Sequence, residues 1–255
     1  MPSGEMRLRS WLLATAVAVT SGACGARGPV IQDLGPNELY DLGMTALAEK
    51  DWDKAIRMFT RMTTVYPGDP RIEAVRFELG NAYFGKKEYV SAAAEYVRLA
   101  QDFPTGEYAD DSRFKTCESY YRLSPKKPQL DQQYTYAAID HCQALIEAFP
   151  NSEFVPAARE LIAELNDKLA QKVLLNGEYY FKRQAFDSSI IYFEELLRTY
   201  PRSKHAPQAL LRLVQTYQRL GYREELEATK ERLLRDFPDS PEAAQARAIT
   251  LANGR

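Results

Sequence analysis

Small and apolar residues recur along this chain in one repeating frame, and each turn of the frame closes on an aromatic residue followed by proline. The closing pairs are Tyr66-Pro67, Phe103-Pro104, Phe149-Pro150, Tyr200-Pro201 and Phe237-Pro238. Before the first lie Leu39, Leu42, Gly43, Ala46, Ala55 and Phe59, and before the second lie Leu79, Gly80, Tyr83, Ala92 and Tyr96. Apolar residues three and four apart, on both sides of a short polar break, predict two antiparallel helices per frame. Proline ends the second helix, because it has no amide for a further turn and pushes the preceding residue out of helical geometry. Small residues let the two helices approach, with Gly43 expected against Ala55 and Gly80 against Ala92. Aromatics at Phe59, Tyr83 and Tyr96 are expected to fill the wedge between hairpins, since one hairpin cannot bury its apolar face alone. No segment alternates with period two for long enough to predict a sheet.

This frame resembles the tetratricopeptide (TPR) repeat, and the fold class it implies is an all-α solenoid of five hairpins. Prolines 67 and 104 are 37 apart, 104 and 150 are 46, 150 and 201 are 51, and 201 and 238 are again 37, so two insertions interrupt a 37-residue period. The first falls around Ser124-Pro125-Lys126-Lys127-Pro128, inside the third hairpin. The second lies in the fourth unit, where no Gly or Pro interrupts the stretch between Pro156 and Gly177, which predicts one long helix over Glu153–Arg183 joining repeats three and four. The repeats are expected at about 37–67, 70–104, 107–150, 153–201 and 204–238, with a short closing helix over 241–252. In the last repeat Leu226 and Lys230 replace the small and aromatic residues, which suits a partly solvated end. Asp69-Pro70, Ser240-Pro241, Asn151-Ser152 and Arg202-Ser203 read as helix N-caps.

The N-terminus carries an expected address. Arg7 and Arg9 precede an apolar run from Trp11 to Val19 and then Thr20-Ser21-Gly22-Ala23-Cys24, the three regions of an export signal over residues 1–23. A cysteine directly after small residues resembles a bacterial lipobox, with Ser21 where that motif prefers leucine, and makes Cys24 the expected lipidation site. Ordinary cleavage nearby, with Cys24 incidental, is the other reading. Residues 24–36 have the Gly and Pro content of a tether.

An exported lipoprotein with a short tether, five such hairpins, an interrupted third repeat and a long helix joining the third and fourth resembles the BamD (YfiO) family, over about Leu34–Ala248. Phrases such as Phe149-Pro150-Asn151-Ser152 and Tyr200-Pro201-Arg202-Ser203 accompany that architecture. The resemblance implies a non-enzymatic component of the outer-membrane β-barrel assembly machinery, facing the periplasm. Implied partners are the barrel-forming (BamA-like) subunit, other Bam lipoproteins, the C-terminal segments of unfolded outer-membrane proteins, and the membrane through the lipid. It also implies that the last two repeats face the barrel subunit, where Arg212, Arg219 and Arg223 lie. A solvated charged face accounts for those arginines equally well.

Within each of the first three hairpins, residues three before, one after and four after the glycine position should face the inner side. They are Tyr40, Met44 and Leu47; Phe77, Asn81 and Phe84; Phe114, Glu118 and Tyr121. Such a stripe could take alternate side chains of an extended peptide ending in aromatic residues. Packing against the next hairpin is the competing reading for the same positions.

Composition narrows the rest. A formal charge of −2, or −3 after removal of residues 1–23, and the absence of a Lys/Arg run argue against nucleic acid. His141 and His205 are far apart and stand in no metal-ligand or triad spacing, so no catalytic residue, metal or cofactor is expected. Asp110-Asp111 reads as the first turn of a helix, where negative charge suits the dipole. Cys117 and Cys142 fall on facing helices of the third hairpin, at the glycine and aromatic positions. A disulfide formed after export and two small buried thiols are both open readings. A Tol-Pal adaptor resembling CpoB (YbgF) is the functional alternative, although no heptad stretch precedes Leu39.

Overall fold

The structure, a computed structural model, describes residues 34–250, and among them there is helix and no strand. The helices are α1 (Pro36–Ala48), α2 (Trp52–Val65), α3 (Ile72–Gly85), α4 (Tyr89–Asp102), α5 (Ala109–Leu123) and α6 (Gln133–Ala148). They continue as α7 (Val155–Lys182), α8 (Phe186–Thr199), α9 (Ala206–Leu220), α10 (Arg223–Asp236) and α11 (Pro241–Arg247). Each packs on the next in chain order, and α1 also touches α3, α5 touches α7, α7 touches α9 and α9 touches α11.

Inside four hairpins the link is a short turn with one residue at positive φ: Lys50 at 60°, Lys87 at 68° and Gln184 at 60°, each in the middle of three residues, and Gly221 at 75°, the first of two. In each, the residue after it donates its amide back across the helix end, as Asp51 does to Ala46 and Glu88 to Tyr83. This closes the helix by the left-handed cap that satisfies its last carbonyls. The third hairpin differs, because residues 124–132 form a loop between α5 and α6. Buried Gln132 holds that loop, its amide donating to the carbonyls of Lys127, Pro128 and Leu130. Lys168 of α7 donates to the Ser124 hydroxyl of the same loop.

Between hairpins the aromatic–proline pair builds the same double turn each time. The amides of Asp69, Gly106, Ser152 and Ser203 donate to the carbonyls of Tyr66, Phe103, Phe149 and Tyr200, and Ile72, Ala109, Val155 and Ala206 then repeat the step. This second turn shifts three expected caps. Asp69, Ser152 and Ser203 accept from the amides of Arg71, Phe154 and His205, one turn ahead of the helices they were expected to start. Ser240 is an N-cap, accepting from Ala243 at 3.1 Å with Pro241 next to it. The helix it opens ends at Arg247, short of the expected 252.

The glycines of the crossings meet rings rather than alanines. A β-carbon on Gly43 would stand 2.5 Å from Phe59, and one on Gly177 would stand 2.5 Å from Phe193; Gly80 faces Tyr96 in the same way. Phe59, Tyr96 and Phe193 therefore fill the inside of their own hairpins, fully buried, and are not wedges between neighbours. The long helix α7 has 28 residues. Its first half buries Ala158, Leu165 and Leu169 against α5 and α6, and its second half adds Leu174 to the core shared with α8, α9, α10 and α11.

Candidate functional site

The expected peptide stripe lies on α1, α3 and α5, and each of its members is half-buried. The first residue of each trio packs on the residue that leads into the next hairpin. The Arg71 guanidinium lies 4.9 Å from the Tyr40 ring centroid, Phe77 stacks on Tyr108 at 4.7 Å, and Phe114 stacks on Phe154 at 4.8 Å and 9°. Tyr40, Phe77 and Phe114 are thus joints between successive hairpins, with one edge left to solvent. Such ring pairs contribute about 1 kcal/mol beyond the area they bury.

The later members of each trio are held differently. Asn81 accepts from the Tyr96 hydroxyl at 2.7 Å and donates to Glu78 at 3.0 Å. Phe84 meets Tyr89 edge-on at 5.1 Å, and the Lys115 ammonium lies 5.3 Å above its ring. Met44 and Leu47 are half-exposed on α1. Tyr121 donates to both oxygens of Glu164 at 2.8 Å, and burial together with that carboxylate pushes its phenol up.

Open space borders the stripe at the third hairpin. A cavity of about 230 Å³ between α5 and α7 is lined by Phe114, Glu118, Tyr121, Ala157, Glu160, Leu161 and Glu164. A second, of about 400 Å³, continues past Tyr121 to Ser124, Lys126 and Lys168. Burial pulls the Lys168 ammonium down, with Glu164 opposing. The groove so formed has Phe114, Ala157 and Leu161 as its apolar lining, Glu160 and Glu164 on its α7 wall, and Glu118 on its α5 wall, where Lys115 and Arg122 pair with it; Lys126 and Lys168 stand at one end. Glu160, Leu161, Glu164 and Lys168 were missed as site residues. Their helical spacing was visible in the sequence, but the register of α7 against α5 was not.

The arginines expected at a partner interface are only partly together. Arg212 donates through Nε to Glu178 at 2.9 Å and through Nη1 to Gln215 at 2.9 Å, with the Phe181 ring 5.1 Å away. Arg219 lies over the same ring at 5.2 Å and over Phe186 at 5.9 Å, and it has no carboxylate partner among the described residues. Arg223 opens α10, exposed, with no contact tying it to the other two.

Cys117 and Cys142 are joined as a disulfide between α5 and α6, with Cα atoms 5.0 Å apart. Cys24 lies outside the described residues. His141 stacks on Tyr120, and no group of metal-ligating side chains gathers among the described residues. Asp110 and Asp111 occupy the first turn of α5, and Asp110 accepts from the Ser152 hydroxyl at 2.7 Å across the hairpin joint. No helix among the described residues is long and apolar enough to cross a membrane.

Comparison with known proteins covers most of this array. The outer membrane protein assembly factor BamD of Vibrio cholerae is 25% identical over 82% of this chain and 90% of its own length. BamD of Caulobacter vibrioides is 25% identical over 89% of this chain and 74% of its own, and that of Rickettsia prowazekii is 26% identical over 79% and 80%. The profile of the YfiO family, described as outer membrane lipoprotein, matches residues 32–233, from before the first helix into the last hairpin. The chain belongs to the YfiO family of outer membrane lipoproteins.

Proposed function

We propose that this protein is a non-enzymatic subunit of the outer-membrane β-barrel assembly machinery that receives unfolded barrel proteins. The observation that carries this reading is the YfiO match over residues 32–233, which spans the loop at 124–132 and the long helix α7. Those two departures from a plain repeat set this architecture apart from a generic helical-hairpin array. Relatives bearing the assembly-factor name support the same reading and do not favour a Tol-Pal adaptor of the CpoB (YbgF) type.

The chemistry of the α5–α7 groove suits such a client. A barrel strand carries apolar side chains on alternate residues and unpaired backbone amides between them. Phe114 and Leu161 offer apolar contact to the former, and Glu160 and Glu164 are acceptors for the latter, Glu118 being paired with Lys115 and Arg122. Phe84 and Asn81 extend the surface toward α3, and Tyr40, Met44, Leu47 and Phe77 toward the N-terminal hairpins. Docking on the barrel-forming subunit and other Bam lipoproteins falls to Arg219 and Arg223, with Arg212 supporting them from its pair with Glu178. A lipid on Cys24 would hold the protein at the inner leaflet of the outer membrane.

The test is affinity isolation from solubilised envelopes combined with depletion. Co-isolation of the barrel-forming subunit and a fall in folded outer-membrane barrels on depletion are expected. Recovery of Tol or division proteins, with barrels unaffected, would overturn the reading.

A further inference from the structure

Arg76 on α3 and Arg113 on α5 hold the same place in successive hairpins, each four residues before the small residue of its crossing, Gly80 or Cys117. Arg76 sits between two carboxylates of α4, Nη1 3.6 Å from Glu95 and Nη2 3.6 Å from Asp102. In the third hairpin the places of Glu95 and Asp102 are taken by His141 and Ala148, counted from the matched alanines Ala92 and Ala138. The arginine is kept and both of its counter-charges are gone.

The surroundings of Arg113 keep the mark of that exchange. Among the described residues it has no ion pair, and its Nε is buried without a hydrogen-bond partner. The Phe149 ring covers the guanidinium, its centroid 5.5 Å away. Arg113, His141, Gln101 and Thr116 line a pocket of about 250 Å³ closed by Val97 and Ala144. His141 is fixed by its stack on Tyr120, centroids 4.8 Å apart and planes 3° from parallel. The Thr116 hydroxyl already donates to the Ser112 carbonyl at 2.8 Å, which leaves Arg113, His141 and the Gln101 amide as the donors facing the pocket. The acidic neighbour of His141, Asp140, is exposed.

We propose that the pocket between α4, α5 and α6 binds a carboxylate from another molecule, in the place Glu95 fills one hairpin earlier. A planar guanidinium matches a carboxylate with two parallel hydrogen bonds. Bringing a counter-charge to a partly buried cation also removes the cost of leaving it unpaired. The space admits a small aliphatic acid or the end of an Asp or Glu side chain. The site is independent of the α5–α7 groove and of the assembly role.

Nuclear magnetic resonance of the intact protein tests this directly, because the chain has two histidines and each gives an imidazole signal. The probes are acetate, succinate and a short end-blocked peptide with one glutamate. His141 should shift saturably while His205 stays still, and Arg113→Gln should weaken the binding about tenfold or more. Saturation by the peptide alone assigns the carboxylate to a protein side chain; saturation by the free acids as well makes a small acid sufficient. His141→Glu restores the ion pair of the preceding hairpin inside the chain. It should fold, melt no lower than the parent, and show no response of the Arg113 Nε–H signal to any probe. No saturable shift with all three probes, or equal affinity in Arg113→Gln, would overturn the proposal.

Discussion

The sulfurs of Cys117 and Cys142 are bonded across the slot in which Gly80 receives the ring of Tyr96 one hairpin earlier. Where the first, second and fourth hairpins close their helices with a ring on a glycine, the third closes them with a covalent bond. This hairpin also carries the longer loop at 124–132, and the disulfide ties its two helices within their length, away from that loop. The two residues are 25 apart, and closing a loop of that size stabilises by about 3 kcal/mol in the chain-entropy account. Reduction, or Cys117→Ser with Cys142→Ser, should lower the denaturant midpoint correspondingly, and Cys117→Gly with Cys142→Tyr should recover part of the loss. A midpoint indifferent to reductant, with both thiols alkylated in the native protein, would contradict it.

Gly43 and Gly177 should resist substitution although both are helical. Alanine gains about 1 kcal/mol of helix propensity over glycine. Here its β-carbon would enter the Phe59 or Phe193 ring at 2.5 Å, and overpacking of a closed core costs about 1–3 kcal/mol. Gly43→Ala and Gly177→Ala should therefore melt lower than the parent, with Phe59→Leu partly rescuing the first. Gly68→Ala, whose β-carbon would meet nothing within 4 Å, serves as the neutral control.

The hairpin frame could be read from the sequence because its signals are local. Tyr66-Pro67 and its four counterparts impose a stop by backbone chemistry, and the uninterrupted run before Gly177 leaves α7 nowhere to break. What could not be read depends on distance across the fold. Asp69, Ser152 and Ser203 look like caps, yet a second turn lies between each and its helix. Tyr40 and Phe114 look like a free stripe, yet Arg71 and Phe154 meet them from the next hairpin. Helical periodicity tells which residues share a face and not what comes to cover it. The same limit hid Glu160 and Glu164, whose place opposite Phe114 and Tyr121 depends on how α7 slides along α5.

Acid should unlock the joint between the first two hairpins. Hydrogen bonds from the Arg71 side chain and backbone hold the Asp69 carboxyl at about 2, below its ordinary 3.8. A carboxyl lowered on folding stabilises above its unfolded value and loses that contribution as pH falls through the folded one, here between about 4 and 2. Urea unfolding of the parent and of Asp69→Asn should differ most at pH 5 and above and converge toward pH 2. A difference that stays constant across that interval would assign the effect to packing alone.

Charge reversal should separate the two arginines that share Phe181. Arg212→Glu would set a second carboxylate against Glu178, 2.9 Å from the present guanidinium, and should destabilise the fold by about 2 kcal/mol. Arg219 has no carboxylate to lose, so Arg219→Glu should change stability by less than about 1 kcal/mol. If this face docks on the barrel-forming subunit, Arg219→Glu should still weaken capture of that subunit, by about tenfold in a binding isotherm. Undiminished capture by a well-folded Arg219→Glu protein would move the interface elsewhere.

Peptide binding should be tested at Tyr121 rather than at Phe114, because the Phe114 ring also joins two hairpins through Phe154 and its loss would mix affinity with stability. Tyr121 stands in both cavities of the α5–α7 groove and spends its hydroxyl on Glu164. Tyr121→Ala removes a ring from the groove wall and should weaken binding of a labelled, aromatic-ended barrel-strand peptide by about threefold to tenfold. Tyr121→Phe keeps the ring and frees the Glu164 carboxylate to accept from a peptide amide, so its affinity should equal or exceed that of the parent. Fluorescence anisotropy distinguishes the two. Equal affinity in parent and Tyr121→Ala would show that the peptide does not lie between α5 and α7, and would return the search to Met44, Leu47 and Phe84 on the first two hairpins.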